Sequence, residues 1–349
     1  MHCESGDFDF NRPDTTIVIA EAGVNHNGDA ALARRMIDVA CDAGAHIVKF
    51  QAFRADKEIS RYAPKAQYQI ENTGAGENQL ELCKALELSA DTLRSLKDYC
   101  AQIRMPFLCT AFDFDSVDLL LDTLKLTAIK IGSAEVTNIP LLQYIGAKKA
   151  GTILSTGAST LAEVGRAVDA LCRSGCPELV LLHCVTSYPA PVEQANLRAM
   201  LTLKREFGVP TGFSDHTSGI SAAIAAAALG ACAIEKHFTT DRNLPGPDHR
   251  ASVEPPELKA LVQGVAAANQ ALGSAVKQPA PCELPNQSLI RKSLVAIRDL
   301  PAGTRLARGM LEIKRPQGGI EPGELDRVIG RTLKHAVPED MPITWSDLA

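Results

Sequence analysis

From residue 17 to about residue 272, short apolar runs rich in β-branched residues alternate with longer amphipathic stretches. The candidate strands are Ile17–Ala20, His46–Phe50, Phe107–Cys109, Ala128–Ile131, Thr152–Ser155, Leu179–Cys184, Thr211–Phe213 and Ala233–Lys236. Runs this short and this apolar fit strands buried on both faces. Between them lie helical patterns such as DAALARRMIDVACDAG, STLAEVGRAVDALCRSG and QANLRAMLTLKREFG. Several end in Gly, which adopts a left-handed helix cap at no steric cost. Strict alternation predicts parallel strands joined by helical crossovers, and eight such units in roughly 250 residues predict a (β/α)8 TIM barrel.

Two stretches depart from this rhythm. The connection after the second strand, residues 54–88, is abnormally long, as lids or disordered segments are. At KQPAPCELPNQ the helical pattern gives way to prolines, and the tail reads as short strands and Gly/Pro turns. Within that tail RDLPAGTRLARGML loosely echoes HAVPEDMPITWSDL. The expected organisation is a catalytic barrel over 1–278, a Pro-rich linker over 279–287 and a small, mostly β domain over 288–349.

Composition narrows the class. Hydrophobic residues make up 46% and charged residues 22% of the 349, which suits a sizeable core. The net charge of −5 argues against a nucleic-acid or membrane-surface partner, though not against a local basic pocket for a small anion. The polar, acidic start has no apolar secretory core, and no apolar run approaches the ~18 residues of a membrane span. Ten scattered cysteines without a C-x-x-C pair suggest reduced, mostly buried thiols in a cytoplasmic protein.

Reactive residues collect where barrel enzymes carry their chemistry, at the C-terminal ends of the strands. Strand one runs into Glu21, strand two carries Lys49 and Gln51, strand three Thr110, and strand four Lys130, Ser133 and Glu135. Strand five ends in Ser155, strand six leads to Thr186 and Tyr188, strand seven to Ser214, Asp215 and His216, and strand eight to Glu235 and His237. Each lysine alone could snorkel to solvent. Two lysines following apolar strand residues, among hydroxyls, instead point to a buried anion site. His216 and His237 end neighbouring strands, so two imidazoles can share a divalent metal, with Asp215 and Glu235 as candidate supports. His183 fits a packed core histidine equally well. A Ser-His-Asp triad is excluded for SDH, since consecutive side chains diverge and no G-x-S-x-G elbow exists.

IAEAGVNHNGD, VKFQAF, IKIGSAE, ILSTG, LLHCVTSYPAP, GFSDHTSG, IEKHFT and DRNLPGPDH occur in this order, and together they resemble the sialic acid synthases. RKSLVAIRDLPAGT and KRPQGG resemble the antifreeze-like (SAF, β-clip) domain attached to them. The resemblance implies condensation of phosphoenolpyruvate with an N-acetylated amino sugar in its open-chain aldehyde form, here N-acetylmannosamine giving N-acetylneuraminate and phosphate. It implies a divalent metal on His216 and His237, Mn2+ before Mg2+ or Co2+. It places Lys130, Thr110, Ser133, Ser155 and Ser214 on phosphoenolpyruvate. Glu21, Lys49, Gln51, Tyr188 and Asp248 fall toward the sugar, with acid–base roles shared among Glu21, Glu135 and metal-bound water. It also implies a homodimer in which Arg315 of the appended domain reaches the acetamido group across the partner barrel. Thr186 stands where some N-acetylneuraminate synthases have Asn, a departure that touches sugar choice. The TSYP form resembles relatives making legionaminic or pseudaminic acid from 2,4-diacetamido-trideoxy-hexoses, and that reading stands as the alternative. A seven- or eight-carbon sugar-phosphate synthase would not need Arg315. A carbohydrate- or ice-binding protein would not need the convergent Lys, Ser and His residues.

Overall fold

The computed structural model describes residues 1–349 except residues 4–5, 13–14, 75 and 77 and the side chains of residues 2, 3, 6 and 7. The chain divides into two compact units, Met1–Gly273 and Ser274–Ala349, a few residues before the proline-rich boundary expected from the sequence.

The first unit opens with a small antiparallel hairpin, β1 (His2–Cys3) and β2 (Gly6–Asp7). Eight parallel strands follow: β3 (Ile17–Gly23), β4 (Ile47–Ala52), β5 (Phe107–Ala111), β6 (Ala128–Ile131), β7 (Gly151–Ser155), β8 (Leu179–Cys184), β9 (Thr211–Asp215) and β10 (Ala233–His237). They pair in sequence order, and β10 pairs with β3 to close the barrel. The crossovers carry α1 (Ala30–Ala43), then α2 (Ala55–Glu58), α3 (Gln67–Thr73), α4 (Gln79–Leu86) and α5 (Ala90–Ile103), then α6 (Phe114–Asp118), α7 (Ile139–Ala147), α8 (Leu161–Ser174), α9 (Arg198–Phe207), α10 (Ser221–Ala228) and α11 (Pro255–Leu272). Caps follow the sequence signals. Asp29 accepts from the Ala31 amide at 2.7 Å to start α1, and Gly44 at φ 79° ends it.

The 54–88 connection differs from expectation, since it carries three short helices rather than a structureless loop. One of them, α3, reaches the loop after β10, where Asn72 donates to the Pro247 carbonyl at 2.6 Å.

Side-chain alternation along each strand sets the interior. Ile17, Ile19, Ile47, Leu108, Ile153, Val180, Leu182 and Ala233 fill the lower barrel, with Phe10 and Met1 packed beneath. Their neighbours Val18, Val48, Phe50, Ile129, Leu181, Phe213 and Ile234 face outward into the layer shared with the helices. Each inward series then turns polar near the strand's C-terminal end.

The second unit holds α12 (Leu284–Ile290), the antiparallel pair β11 (Ser293–Ala296) and β12 (Leu311–Lys314), and α13 (Leu325–Val328). The isolated bridge from Leu300 to Val337 ties the two echoing segments, and Leu333 bridges Leu348, around one small core. Helix α12 occupies the end of the stretch read as linker. Of the described cysteines, Cys100, Cys109, Cys184 and Cys232 are buried, whereas Cys41, Cys172 and Cys282 are exposed, so burial is less general than expected. All the described cysteines are free thiols.

Candidate active site

Counting inward positions upward from the apolar floor gives Glu21, Lys49, Thr110, Lys130, Ser155, Cys184, Ser214 and Glu235, then Gln51, His216 and His237 above them. These residues line one cavity of about 160 Å³, with Phe112, Gly132, Ser133, Ala134, Thr186 and Tyr188. A larger hollow of about 380 Å³ near Phe10, Lys204 and Asn269 holds no comparable cluster of buried charges.

Four buried charges form the cavity floor. The Lys49 ammonium lies 2.8 Å from Glu21 Oε1 and 3.7 Å from Glu235 Oε2, and donates to Thr110 Oγ1 at 2.8 Å. Lys130 donates to Ser155 Oγ at 2.7 Å and faces Glu235 Oε1 at 3.4 Å. Ser214 donates to the same Glu235 oxygen at 2.9 Å. Burial alone would push the Glu235 carboxyl up, but Lys130 and Lys49 hold it down at about 2. Burial also works against the Lys49 charge, yet Glu21 and Glu235 outweigh it and raise its pKa. Lys130, whose partner is shared, is lowered by burial despite Glu235. Glu21 is raised by burial even with Lys49 beside it. Its Oε1 accepts from Gln51 at 2.8 Å, while Oε2 is buried without a hydrogen-bond partner.

Above the floor the His216 and His237 rings lie 5.4 Å apart, centroid to centroid. Tyr188 packs against both, at 4.1 Å from His216 and 5.7 Å from His237, and Tyr68 of α3 lies 5.2 Å beyond it. His216 Nδ1 sits 2.9 Å from the Val185 carbonyl, which can only accept, so Nδ1 carries a proton and, in the neutral ring, Nε2 is left to bind a metal. Burial drives the His237 pKa far down, keeping that ring neutral, and its Nδ1 is buried without a hydrogen-bond partner. Asp248 Oδ2 is 3.9 Å from that nitrogen, and burial raises its carboxyl to about 6. Burial works against the His216 charge, yet Cys184 beside it outweighs burial and raises its pKa. A cation bound there would have to displace a proton from His216 but not from His237; with that proton gone the two imidazoles fit a divalent cation. Among the described residues no group of three His, Cys, Asp or Glu could hold one, so water and substrate oxygens would complete the shell.

The loops close in by steric necessity. A Cβ on Gly157 would lie 2.2 Å from Thr186 Oγ1 and 3.0 Å from Ser133 Oγ, so any larger residue would force the side chains of the loops after β6 and β8 to move. Ser133 accepts from the Gly157 amide at 2.9 Å.

Some expected residues fall elsewhere. Glu135 is turned aside to accept from Asn138 Nδ2 at 2.6 Å and does not line the cavity. Thr110 partners Lys49 rather than Lys130. Asp215 faces outward and pairs with Lys236, so it does not support a histidine from inside the cavity. His183 is a core residue, bonded to the Ala195 carbonyl at 2.8 Å and stacked on Phe213. Arg315 belongs to the second unit, exposed just after β12, where among the described residues it makes no hydrogen bond or ion pair. Glu235, read from sequence only as a support, is instead the shared partner of both lysines. Cys184 was missed as a lining residue, though counting two positions from Leu182 finds it.

With this geometry in place, comparison with known proteins decides the lineage. The NeuB family description matches residues 36–277, and the SAF domain matches residues 291–349. The chain belongs to the NeuB family. This NeuB-family chain is 44% identical over 327 residues to the N,N'-diacetyllegionaminic acid synthase of Campylobacter jejuni, covering 93% of this chain and 98% of that one. It is 42% identical to the enzyme of the same name from Legionella pneumophila, covering 96% and 95%. A crystal structure of N-acetylneuraminic acid (sialic acid) synthetase from Leptospira borgpetersenii superposes with a TM-score of 0.68 at 36% identity, covering 78% of this chain and 90% of that one. The barrel, the SAF domain and a sugar-acid synthase role stand as expected. The expected sugar does not fare as well: the relatives support the legionaminate-type alternative better than N-acetylneuraminate. No described helix is long and apolar enough to cross a membrane.

Proposed function

We propose that this protein joins phosphoenolpyruvate to a 2,4-diacetamido-trideoxy-hexose, releasing phosphate and giving a nine-carbon 2-keto acid of the legionaminic type. The observation that carries the reaction is the pair of buried lysines, Lys49 and Lys130, set among hydroxyls directly beneath two metal-competent imidazoles. Identity to two N,N'-diacetyllegionaminic acid synthases, at 44% and 42%, supports the sugar.

The lysines bind the phosphate and carboxylate of phosphoenolpyruvate, aided by Ser155, Ser133 and Ser214. The open-chain aldehyde sits above, near Gln51, Tyr188 and Asp248. The chemistry a divalent cation (Mn2+, Mg2+ or Co2+) supplies on His216 and His237 is Lewis-acid polarisation of the aldehyde oxygen. C3 of phosphoenolpyruvate forms the new bond to the aldehyde carbon, water adds at C2, and the C2–O bond breaks to release phosphate. Glu21, with a raised pKa and the unpartnered Oε2, holds the proton that moves during these steps. Arg315 would recognise an acetamido group across a dimer, as an exposed cation left uncommitted within its own unit.

Phosphate release from phosphoenolpyruvate, measured with the diacetamido sugar beside N-acetylmannosamine, tests the reading. Higher kcat/KM with the diacetamido sugar is expected, and a clear preference for N-acetylmannosamine would return the assignment to N-acetylneuraminate.

A further inference from the structure

Asp215 and Lys236 stand directly opposite each other in the β9–β10 register, each one residue before a candidate metal-binding histidine. Alternation turns their side chains away from the cavity, into the apolar layer where Phe213 and Ile234 meet the helices. There the two charges pair at 2.8 Å, with side chains 0% and 1% exposed. Packing would be served there by two apolar residues, and a buried ion pair is a poor device for stability alone.

Its other bonds suggest its use. Asp215 Oδ1 accepts from the Thr217 amide at 2.8 Å, and Lys236 donates to the Thr217 carbonyl. Both backbone groups of Thr217 are thus tied to the pair, and His216 lies between two fixed residues. The His216 carbonyl accepts from Ala190 at 2.9 Å, so His216 keeps little freedom of its own. On the other strand the His237 carbonyl accepts from Val253 at 3.0 Å, and the next amide, of Phe238, donates to the Glu21 carbonyl at 3.0 Å.

We propose that Asp215 and Lys236 are positioning residues that lock the ends of β9 and β10 so that His216 and His237 meet one divalent cation. The inference rests on the two-histidine metal site proposed above. It assigns the pair to metal affinity rather than to anion binding, since neither side chain enters the cavity. Outer groups that fix metal ligands act in this way in other sites, at 10- to 100-fold in affinity.

The test is Mn2+ affinity by calorimetric titration of the full chain, for the wild type, Asp215→Asn and the charge-free double variant Asp215→Asn/Lys236→Met. Phosphoenolpyruvate binding to the metal-free protein is measured in parallel. Both variants should bind Mn2+ about 10- to 100-fold more weakly, with phosphoenolpyruvate affinity within about twofold of wild type. A folded double variant with wild-type Mn2+ affinity overturns the proposal. So does failure of both variants to fold, which would assign the pair to barrel stability. Absence of Mn2+ binding in the wild type would remove the metal site itself, and this inference with it.

Discussion

Glu235 Oε1 stands 3.4 Å from the Lys130 ammonium, with side chains 5% and 3% exposed, while Oε2 of the same carboxylate faces Lys49 at 3.7 Å. One carboxylate therefore answers two buried cations. Glu235→Gln removes it and leaves Lys130 without its ionic partner. Loss of one member of a buried ion pair costs about 3–5 kcal/mol, so a fall of that order in unfolding free energy is expected. Phosphoenolpyruvate should raise the melting temperature of the variant more than that of the wild type, because its own charge replaces the missing one. An unchanged melting curve would contradict this account of the floor.

Glu21→Gln retains a side-chain oxygen for Gln51 and Lys49 but cannot hold the proton at Oε2. A kcat lower by about 10²–10⁴ is expected, in the range of general acid–base contributions. Steady-state kinetics should show the loss in kcat rather than in the KM for phosphoenolpyruvate.

Gly157→Ala should displace the Thr186 loop, given the 2.2 Å approach of the added Cβ to Thr186 Oγ1. Phosphoenolpyruvate KM should rise about tenfold, roughly 1.4 kcal/mol. The double variant Gly157→Ala/Thr186→Ala should recover part of that loss. Additive effects in the pair would show that the clash is relieved elsewhere.

His26 and His249, on the neighbouring loops after β3 and β10, are 1% and 0% exposed, and burial lowers both to about 4. A depressed folded-state pKa means that their contribution is present above the unfolded value, near 6.5, and is lost as pH falls toward 4. The ceiling is about 3 kcal/mol per histidine, from 1.36 kcal/mol per pKa unit. Denaturant unfolding between pH 7 and pH 4.5 should show declining stability. His249→Gln should decline less steeply over that window.

Arg315→Ala should raise the KM for the sugar and spare that for phosphoenolpyruvate. Mixing Arg315→Ala chains with His216→Ala chains should restore some activity if the arginine serves a partner barrel. Verified heterodimers without activity would place Arg315 outside the site.

The barrel was legible because all-apolar runs alternating with amphipathic ones admit few folds, yet the strands were drawn too short. β3, β5 and β9 continue through Glu21, Thr110 and Asp215, whose polar side chains mask strand character in a sequence reading. Those same residues, Asp215 apart, line the site, so the under-reading and the chemistry share one cause. Glu235 and Lys236 were separable in principle, since inward and outward positions alternate and His237 fixes the phase. Glu135 was not, because the tight turn after β6, not strand periodicity, aims it at Asn138. Nor does periodicity say anything of Arg315, which lies in another unit.

The apolar side chains that fill the lower barrel have a consequence for traffic. Among the described residues the floor beneath the lysines is apolar, and the histidine level lies above them. On the proposed function, whatever rests on Lys49 and Lys130 would lie beneath the sugar, so phosphoenolpyruvate is expected to enter first and phosphate to leave last.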